Sequence, residues 1–247
     1  MVDKFDYEKV DKGGKKGGGK KKDTRDKDSM KQVSKTLCFV LRHESQKYNL
    51  KIEKDGFVEI DELLLVAPIK KFNVNRDLLQ KIVDSDEKGR YEIKGDSIRC
   101  VQGHSNEEVD VEEATEPLTN VNDYHLVVHG TFSDSWEKIK ATGLNKMKRN
   151  AIHFAIGYPK DENVKSGMRN DCDIFVEVNL PMCHFNGIKF FISKNNVILS
   201  PGENGVILPK YFKIAHNKNG EVLHSQKYNI YNFKVSNSSV FSYFKAK

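Results

Sequence analysis

Four short stretches of this 247-residue chain hold side chains suited to handling a phosphate: Leu41-Arg42-His43, Lys88-Gly89-Arg90-Tyr91, Gln102-Gly103-His104-Ser105, and His129-Gly130-Thr131 with Arg149 and His153 downstream. They lie far apart in sequence, so no single local element requires them together. Three of the seven arginines fall inside these stretches, at no obvious helix C-terminus or salt-bridge spacing. Arginine grips a phosphate bidentately in a fixed plane, and histidine can share a proton beside it near neutral pH. The combination predicts a phosphate-handling active site assembled from several segments.

Each stretch also has a plainer explanation. Arg42 and His43 are placed to clamp an anion and supply a proton or hydrogen bond, or they are a solvated helix surface. Arg90 falls on the strand face opposite Tyr91 and Ile93, with Lys88 able to reach the same side; a charged strand edge that resists aggregation is the alternative. Gly103-His104-Ser105 offers flexible backbone and two hydrogen-bonding side chains, or an ordinary turn, and Arg99 on the preceding strand is a further candidate phosphate contact. His129 at a strand end, followed by a glycine that lets a ligand approach the backbone, suits a nucleotide pocket. His153 is part of that pocket or a satisfied core histidine.

The elements that must position these residues follow from the apolar pattern. Met30, Val33, Leu37, Val40 and Leu41 recur at helical spacing and predict a helix over 29–44. A turn at Asp55-Gly56, a short strand at 57–60, a helix opened by Asp61, a helix over 76–84 and a hairpin from Arg90 to Gln102 come next. Helices followed by a hairpin make a winged-helix-like lobe over residues 29–106. Further on, Leu126-Val127-Val128 is a strand, 136–142 a helix stopped by Gly143, and strands fall at 152–155, 174–178, 190–192, 197–199 and 206–208. Residues 119–212 therefore form a mostly-β lobe, and the fold class is α+β. The acidic stretch 107–118 is expected to be an interlobe linker. Residues 1–28, rich in Lys and Gly, are expected to be a disordered tail, and 213–247 are a polar extension without an assigned role.

A net charge of +6 favours a polyanionic partner, without separating RNA from an acidic protein or a membrane surface. Cysteines at 38, 100, 172 and 183 show no C-x-x-C and no zinc-like spacing, so free thiols, no metal site and a reduced intracellular compartment, cytoplasmic or nuclear, are expected. No N-terminal stretch resembles a signal peptide, and no apolar run approaches the roughly 18 residues of a membrane span.

Together the motifs resemble those of the RNA 2′-phosphotransferase family. They stand here as Ser34-Lys35-Thr36-Leu37 ahead of Leu41-Arg42-His43; Asp55-Gly56-Phe57-Val58-Glu59-Ile60 ahead of Leu63-Leu64; Lys88-Gly89-Arg90-Tyr91 leading to Ile98-Arg99-Cys100-Val101-Gln102-Gly103-His104-Ser105; and His129-Gly130-Thr131 with Ile139, Gly143-Leu144 and Met147-Lys148-Arg149. The resemblance runs from residue 30 to about 212. Cys100 stands where the family commonly has alanine, and Ala151 where a histidine is frequent.

The resemblance implies a winged-helix lobe and an ADP-ribosyltransferase-like lobe, with NAD and RNA in the cleft between them. It implies transfer of an internal RNA 2′-phosphate, at a tRNA splice junction, to NAD through an ADP-ribosylated RNA intermediate. The products would be 2′-OH RNA, nicotinamide and ADP-ribose 1″,2″-cyclic phosphate, with no metal required. By matching position it makes Arg42, His43, Arg90 and Arg149 catalytic, with Lys88 and Arg99 as accessory phosphate or RNA contacts. It places His104, Ser105, His129, Gly130, Thr131 and His153 around NAD. Asn204-Gly205-Val206 puts valine where many protein-directed relatives carry a glutamate, which suits an acceptor that is already an anion. Expected partners are 2′-phosphorylated tRNA and NAD, with no membrane, for a monomeric protein. Two other classes stand beside this one: an ADP-ribosyltransferase acting on a protein or a terminal nucleic-acid phosphate, and a non-catalytic winged-helix RNA-binding protein.

Overall fold

A computed structural model describes residues 20–159, 161, 162 and 164–226, with side chains from residue 28 onward. Expectations for residues 1–19 and 227–247 lie outside the described residues. Helix α1 (Lys20–Phe39) opens upstream of residue 29, where the apolar stripe begins, because lysine and arginine sustain a helical backbone whether or not they bury anything. It runs directly into a π-helical turn at Val40–Glu44. Val33, Leu37, Val40 and Leu41 face the core, which fixes the direction in which Arg42 and His43 leave it.

β1 (Val58–Glu59), α2 (Ile60–Leu65), α3 (Ala67–Lys70) and α4 (Arg76–Asp84) follow. Helix α4 lies over its predicted span; the Asn75 side chain caps it by accepting from the Leu78 N–H at 2.8 Å. β2 (Tyr91–Lys94) and β3 (Ser97–Cys100) make the predicted hairpin, and β1 joins it in an antiparallel sheet of order β1-β3-β2. One hydrophobic core gathers these elements.

The acidic stretch carries α5 (Val111–Ala114) and β4 (Glu116–Pro117). It connects two cores and is built into both: Val109 and Ala114 are buried in the first, Leu118 in the second. The second half continues with β5 (Val128–Thr131), α6 (Ser133–Thr142), β6 (Leu144–Asn145), β7 (Ile152–Phe154) and β8 (Ile174–Val178). After these come α7 (Leu180–Phe185), β9 (Phe191–Ile192), β10 (Ile198–Ser200), β11 (Val206–Ile207), β12 (Phe212–Asn217) and β13 (Val222–Ser225). Two four-stranded sheets, β13-β12-β8-β5 and β4-β9-β10-β7, accompany a β11-β6 pair. Every described pairing is antiparallel, which with the separate helices is an α+β arrangement.

The two larger sheets touch at one bridge, Val128 with Ala155, and beyond it β5 and β7 share no further pairing. That split bears directly on the site. Strand β12 lies where the sequence assigns no role. A register shift between Phe212 and Ile214 places the buried Phe212 and Ala215 three residues apart, so the period-two signature of a strand is absent. Among the described residues no helix is long and apolar enough to cross a membrane, and all four cysteines are free thiols.

Candidate active site

The π turn delivers Arg42 and His43 to the loop after β3. At Gly103 (φ +94°) an added Cβ would stand 3.2 Å from Arg42 Nε and 3.3 Å from Cζ, so the guanidinium lies against bare backbone. The Ser105 N–H donates to the Arg42 carbonyl at 3.0 Å, and Ser105 Oγ meets His43 Nδ1 at 2.9 Å, which turns Nε2 outward. Ser105, expected beside NAD, here orients His43. Arg42 Nε and Nη2 are buried without a protein partner. Buried donors left unmet are costly, so they mark a position awaiting an acceptor.

Arg149 comes from the turn between β6 and β7, and Arg169 from the segment between β7 and β8. Among the described residues, none of Arg42, Arg149 and Arg169 has a carboxylate within 4.0 Å. The Arg149 pKa is lowered by desolvation and then by the charges of Arg42 and Arg169. Three cations without a carboxylate among them, the Cys38 and Cys100 thiols lying beside Arg42, are suited to receive an anion. The motifs do not include Arg169, and with Asp173 four residues on it reads in the sequence as an ordinary ion-pair candidate.

Histidines surround these arginines, and all are neutral. His43 is pushed down to about 4 by desolvation of its site and by Arg42 and Arg149, although one side of the ring is open to solvent. Burial, then Arg42, His43 and Arg99, take His104 to about 3. His129 is lowered by burial and by Arg149; His153 falls well below its ordinary value through burial, Arg149 and Arg42. His129 Nδ1 lies 2.9 Å from the His153 carbonyl, and His153 Nδ1 lies 3.0 Å from that of Ala151. A carbonyl only accepts, so both rings carry the proton on Nδ1 and present Nε2 as an acceptor. His153 Nε2 and His104 Nε2 are buried without partners. Both residues line a cavity of about 20 Å³ at the seam between the two halves, with Gly103, Asn150 and Ala151. That volume admits a water molecule and not a dinucleotide.

Neutral buried histidines give a pH prediction. Their folded pKa values lie below the unfolded 6.5, so the unfolded chain takes up protons first as pH falls. Stability should be full above pH 6.5 and fall as pH drops toward about 3 to 4. The urea midpoint should already decline between pH 6.5 and about 5, above the range of ordinary carboxylates, and less steeply in His104→Asn. A flat midpoint across that interval would contradict neutral burial.

On β5, residues 127, 129 and 131 bond toward β8: Val178 N–H donates to Val127 and Asp173 N–H to Thr131. Val128 instead exchanges both backbone bonds with Ala155 at 2.9 Å. Alternation therefore aims the Gly130 N–H and C=O into the split between β5 and β7, where no strand receives them. On its face, Gly130 is closely covered: an added Cβ would sit 2.8 Å from Cys172 Sγ and 3.0 Å from Met168 Cβ. Thr131, its neighbour, is buried.

The remaining expected residues lie further out. Arg90 sits one residue ahead of β2 and is ion-paired to Asp86, whose side chain is only 4 % exposed. It shares with Arg42 an electrostatic influence on Cys38, which places it beside the cluster. The Lys88 carbonyl accepts from Asn195 Nδ2 at 2.9 Å, and no described contact joins its ammonium to the cluster. Arg99 is a correction. It is buried, paired with Glu92 at 2.7 Å, donates to the carbonyls of Asp55 (2.7 Å) and Ala114 (3.1 Å), and stacks 4.7 Å from the Phe57 ring centroid. A guanidinium so fully engaged is a structural strut, not a phosphate contact. Arg99→Ala should cost about 1–3 kcal/mol of stability by leaving the Asp55 and Ala114 carbonyls without their donor, Glu92 keeping Lys194, while phosphate affinity, measured by titration, stays unchanged.

The fold and site thus define an α+β protein that gathers arginines without carboxylate partners and neutral histidines from two cores into one cluster. A family model described as RNA 2′-phosphotransferase, Tpt1 / KptA family, matches residues 28–202. The tRNA 2′-phosphotransferase 1 of Bos taurus is 40% identical over 210 residues, covering 82% of this chain and 81% of that protein. That of Danio rerio is 36% identical over 219 residues, 85% of this chain and 94% of that protein. A probable RNA 2′-phosphotransferase of Thermococcus kodakarensis is 32% identical over 173 residues, 69% of this chain and 91% of that protein. The chain belongs to the RNA 2′-phosphotransferase family, a family of transferases.

Proposed function

We propose that this protein transfers an internal RNA 2′-phosphate, at a tRNA splice junction, to NAD, giving 2′-OH RNA, nicotinamide and ADP-ribose 1″,2″-cyclic phosphate. The observation that carries the reading is the set of arginines without a carboxylate partner, Arg42, Arg149 and Arg169, with two Arg42 nitrogens buried and unmet. A phosphomonoester brings the charge and the acceptor oxygens such a set lacks. In this reading the N-terminal half is a winged-helix-like lobe, the C-terminal half is ADP-ribosyltransferase-like, and the protein acts as an intracellular monomer.

NAD as co-substrate fits two features of the chain. The unpaired peptide edge of Gly130 offers a donor and an acceptor together, the complement of a carboxamide. The Nε2 acceptor of His129 calls for a hydroxyl donor, such as one of ribose. NAD would supply an electrophilic ribose carbon with nicotinamide as leaving group.

In the first step the 2′-phosphate is the nucleophile, and Arg42 and Arg149 orient it. In the second, a ribose hydroxyl attacks phosphorus in the ADP-ribosylated RNA, the bond from phosphorus to the RNA 2′-oxygen breaks and that oxygen leaves as the 2′-hydroxyl, and the same arginines hold the equatorial oxygens through the transition state. His43, with Nε2 outward, is the proton acceptor beside them. The bound phosphate offsets the guanidinium charges that, after desolvation, depress His43, and so raises its basicity in part when substrate is present.

A 2′-phosphorylated oligonucleotide tests this directly. Nicotinamide release should require both that RNA and NAD, and should persist in EDTA because guanidiniums meet the phosphate charge. Release with RNA lacking the 2′-phosphate would indicate another acceptor; tight RNA binding without release would indicate a non-catalytic binding protein.

A further inference from the structure

The turn that carries Arg149 is fastened to the N-terminal half by the next residue. The Asn150 N–H donates to the His104 carbonyl at 2.9 Å, and Asn150 Nδ2 donates to the carbonyls of Asn106 (2.8 Å) and Val109 (2.7 Å). The loop that it grips is tied in turn to the π turn. Ser105 N–H bonds the Arg42 carbonyl at 3.0 Å, Ser105 Oγ meets His43 Nδ1 at 2.9 Å, and Asn106 Nδ2 donates to Ser45 Oγ at 2.8 Å. On the other side the turn is fixed to the C-terminal half. Lys146 N–H donates to the Gly205 carbonyl at 2.9 Å, Arg149 N–H to that of Lys146 at 3.1 Å, and Met147 N–H to Asn145 Oδ1 at 2.6 Å. A continuous set of hydrogen bonds therefore runs from Arg42 and His43 to Arg149, and it crosses between the halves at Asn150.

We propose that Asn150 is a positioning residue, whose carboxamide and main-chain N–H set Arg149 of one half in register with Arg42 and His43 of the other. The chemistry selects asparagine. Its amide nitrogen carries two N–H groups, and both are engaged on carbonyls. Serine has one donor and alanine none, while aspartate would press a carboxylate against two carbonyl oxygens. Other ties across the seam cannot substitute. Lys189–Glu112 and Lys194–Glu92 rely on solvent-facing lysines and are weak constraints, and Asn195 holds the Lys88 carbonyl instead of the 104–109 loop. Misplacing a group at a reacting centre by about 1 Å costs on the order of 100-fold, so a clamp beside Arg149 has leverage that its distance from the phosphate conceals.

The proposal rests on the phosphotransfer reading only for its activity readout. Wild type, Asn150→Ala, Arg149→Ala and the double variant form a cycle. Asn150→Ala should lower turnover of 2′-phosphorylated RNA by roughly 10- to 100-fold while the KM for NAD changes less than about threefold. In the Arg149→Ala background the same change should have almost no further effect, because both act through one guanidinium. Asn150→Ser should fall between wild type and alanine, and Asn150→Asp should be at least as impaired as alanine; these two complete the cycle if the alanine variant does not fold. Equal losses in both backgrounds would show general loosening and overturn the proposal, as would an unimpaired Asn150→Ala. If wild-type protein releases no nicotinamide from any 2′-phosphorylated RNA, the functional reading fails. The positioning role is then judged on inorganic phosphate binding by calorimetry, where the same non-additivity supports it and additive losses reject it.

Discussion

Arg149→Ala should slow formation of the final product by roughly 100- to 1,000-fold, about 3–4 kcal/mol, the usual loss when one donor to developing transition-state charge is removed. Nicotinamide release should fall much less. In the proposed first step the phosphate is the nucleophile, and strong neutralisation would blunt it, so arginine there mainly positions. In the second step phosphorus is attacked and its equatorial oxygens must be held, so ADP-ribosylated RNA should accumulate when labelled substrate is followed over time. Stability should not fall. Arg149 has no carboxylate partner, and its removal relieves repulsion with Arg42 and Arg169. The unfolding midpoint should equal or exceed that of the wild type. Arg90→Ala provides the contrast, because it strips the nearly buried Asp86 carboxylate of its partner and should destabilise the fold. Equal loss of nicotinamide release and final product in Arg149→Ala, with no intermediate at any time, would refute this division of labour.

The parts of the site that could be read from the sequence are those where chemistry constrains residue type. Arg42, His43, Arg149 and the histidines stand out because arginine and histidine at scattered loop and strand ends have no packing reason to be there. Strong periodicity located α4 and β8 equally well. What stayed hidden depends on geometry that spacing does not encode. Arg99 occupies a motif and looks like a phosphate contact, yet only the fold brings Glu92 and the Asp55 and Ala114 carbonyls around it. Arg169 belongs to no motif and reaches the cluster through the path of the β7–β8 segment. Strand β12 is masked by its bulge. Helix α7 had legible signals that a strand-dominated reading passes over: Asn179 capping the Met182 N–H at 3.0 Å, and Pro181 in its first turn.

Burial first, and then the positive charge of the site, keeps its histidines neutral. Four rings beside permanent guanidiniums cannot all protonate without adding to an uncompensated field, and burial acts in the same direction. The free protein is therefore a set of fixed cations surrounded by neutral hydrogen-bonding rings. An anion entering it changes both, offsetting the cations and raising the basicity of the nearest ring, which in the proposed reaction readies His43 for proton transfer.

Gly103→Ala should lower turnover by roughly 10-fold, a fraction of the loss of about 100-fold that a displacement of about 1 Å brings, without replacing any catalytic side chain. The new methyl would stand 3.2 to 3.4 Å from Arg42 Nε, Cζ and Cδ, closer than the guanidinium can accept without moving. Two of its nitrogens are already buried and unmet, so a shift leads into space that the phosphate needs. The backbone contributes separately. At φ +94° an L side chain is strained, by about 1–2 kcal/mol for a left-handed residue. That strain should lower the melting temperature by roughly 2–8 °C in a chain of this size. Gly95→Ala distinguishes the two effects. Gly95 has φ +60° in the β2–β3 turn and nothing within 4 Å of its Cβ position, so alanine there meets backbone strain and no neighbour. It should lose some stability and keep full turnover. If both variants lose activity in proportion to their melting temperatures, Gly103 matters only for folding. If Gly103→Ala alone loses turnover at a temperature where both are fully folded, the bare backbone at 103 is what lets Arg42 meet the phosphate.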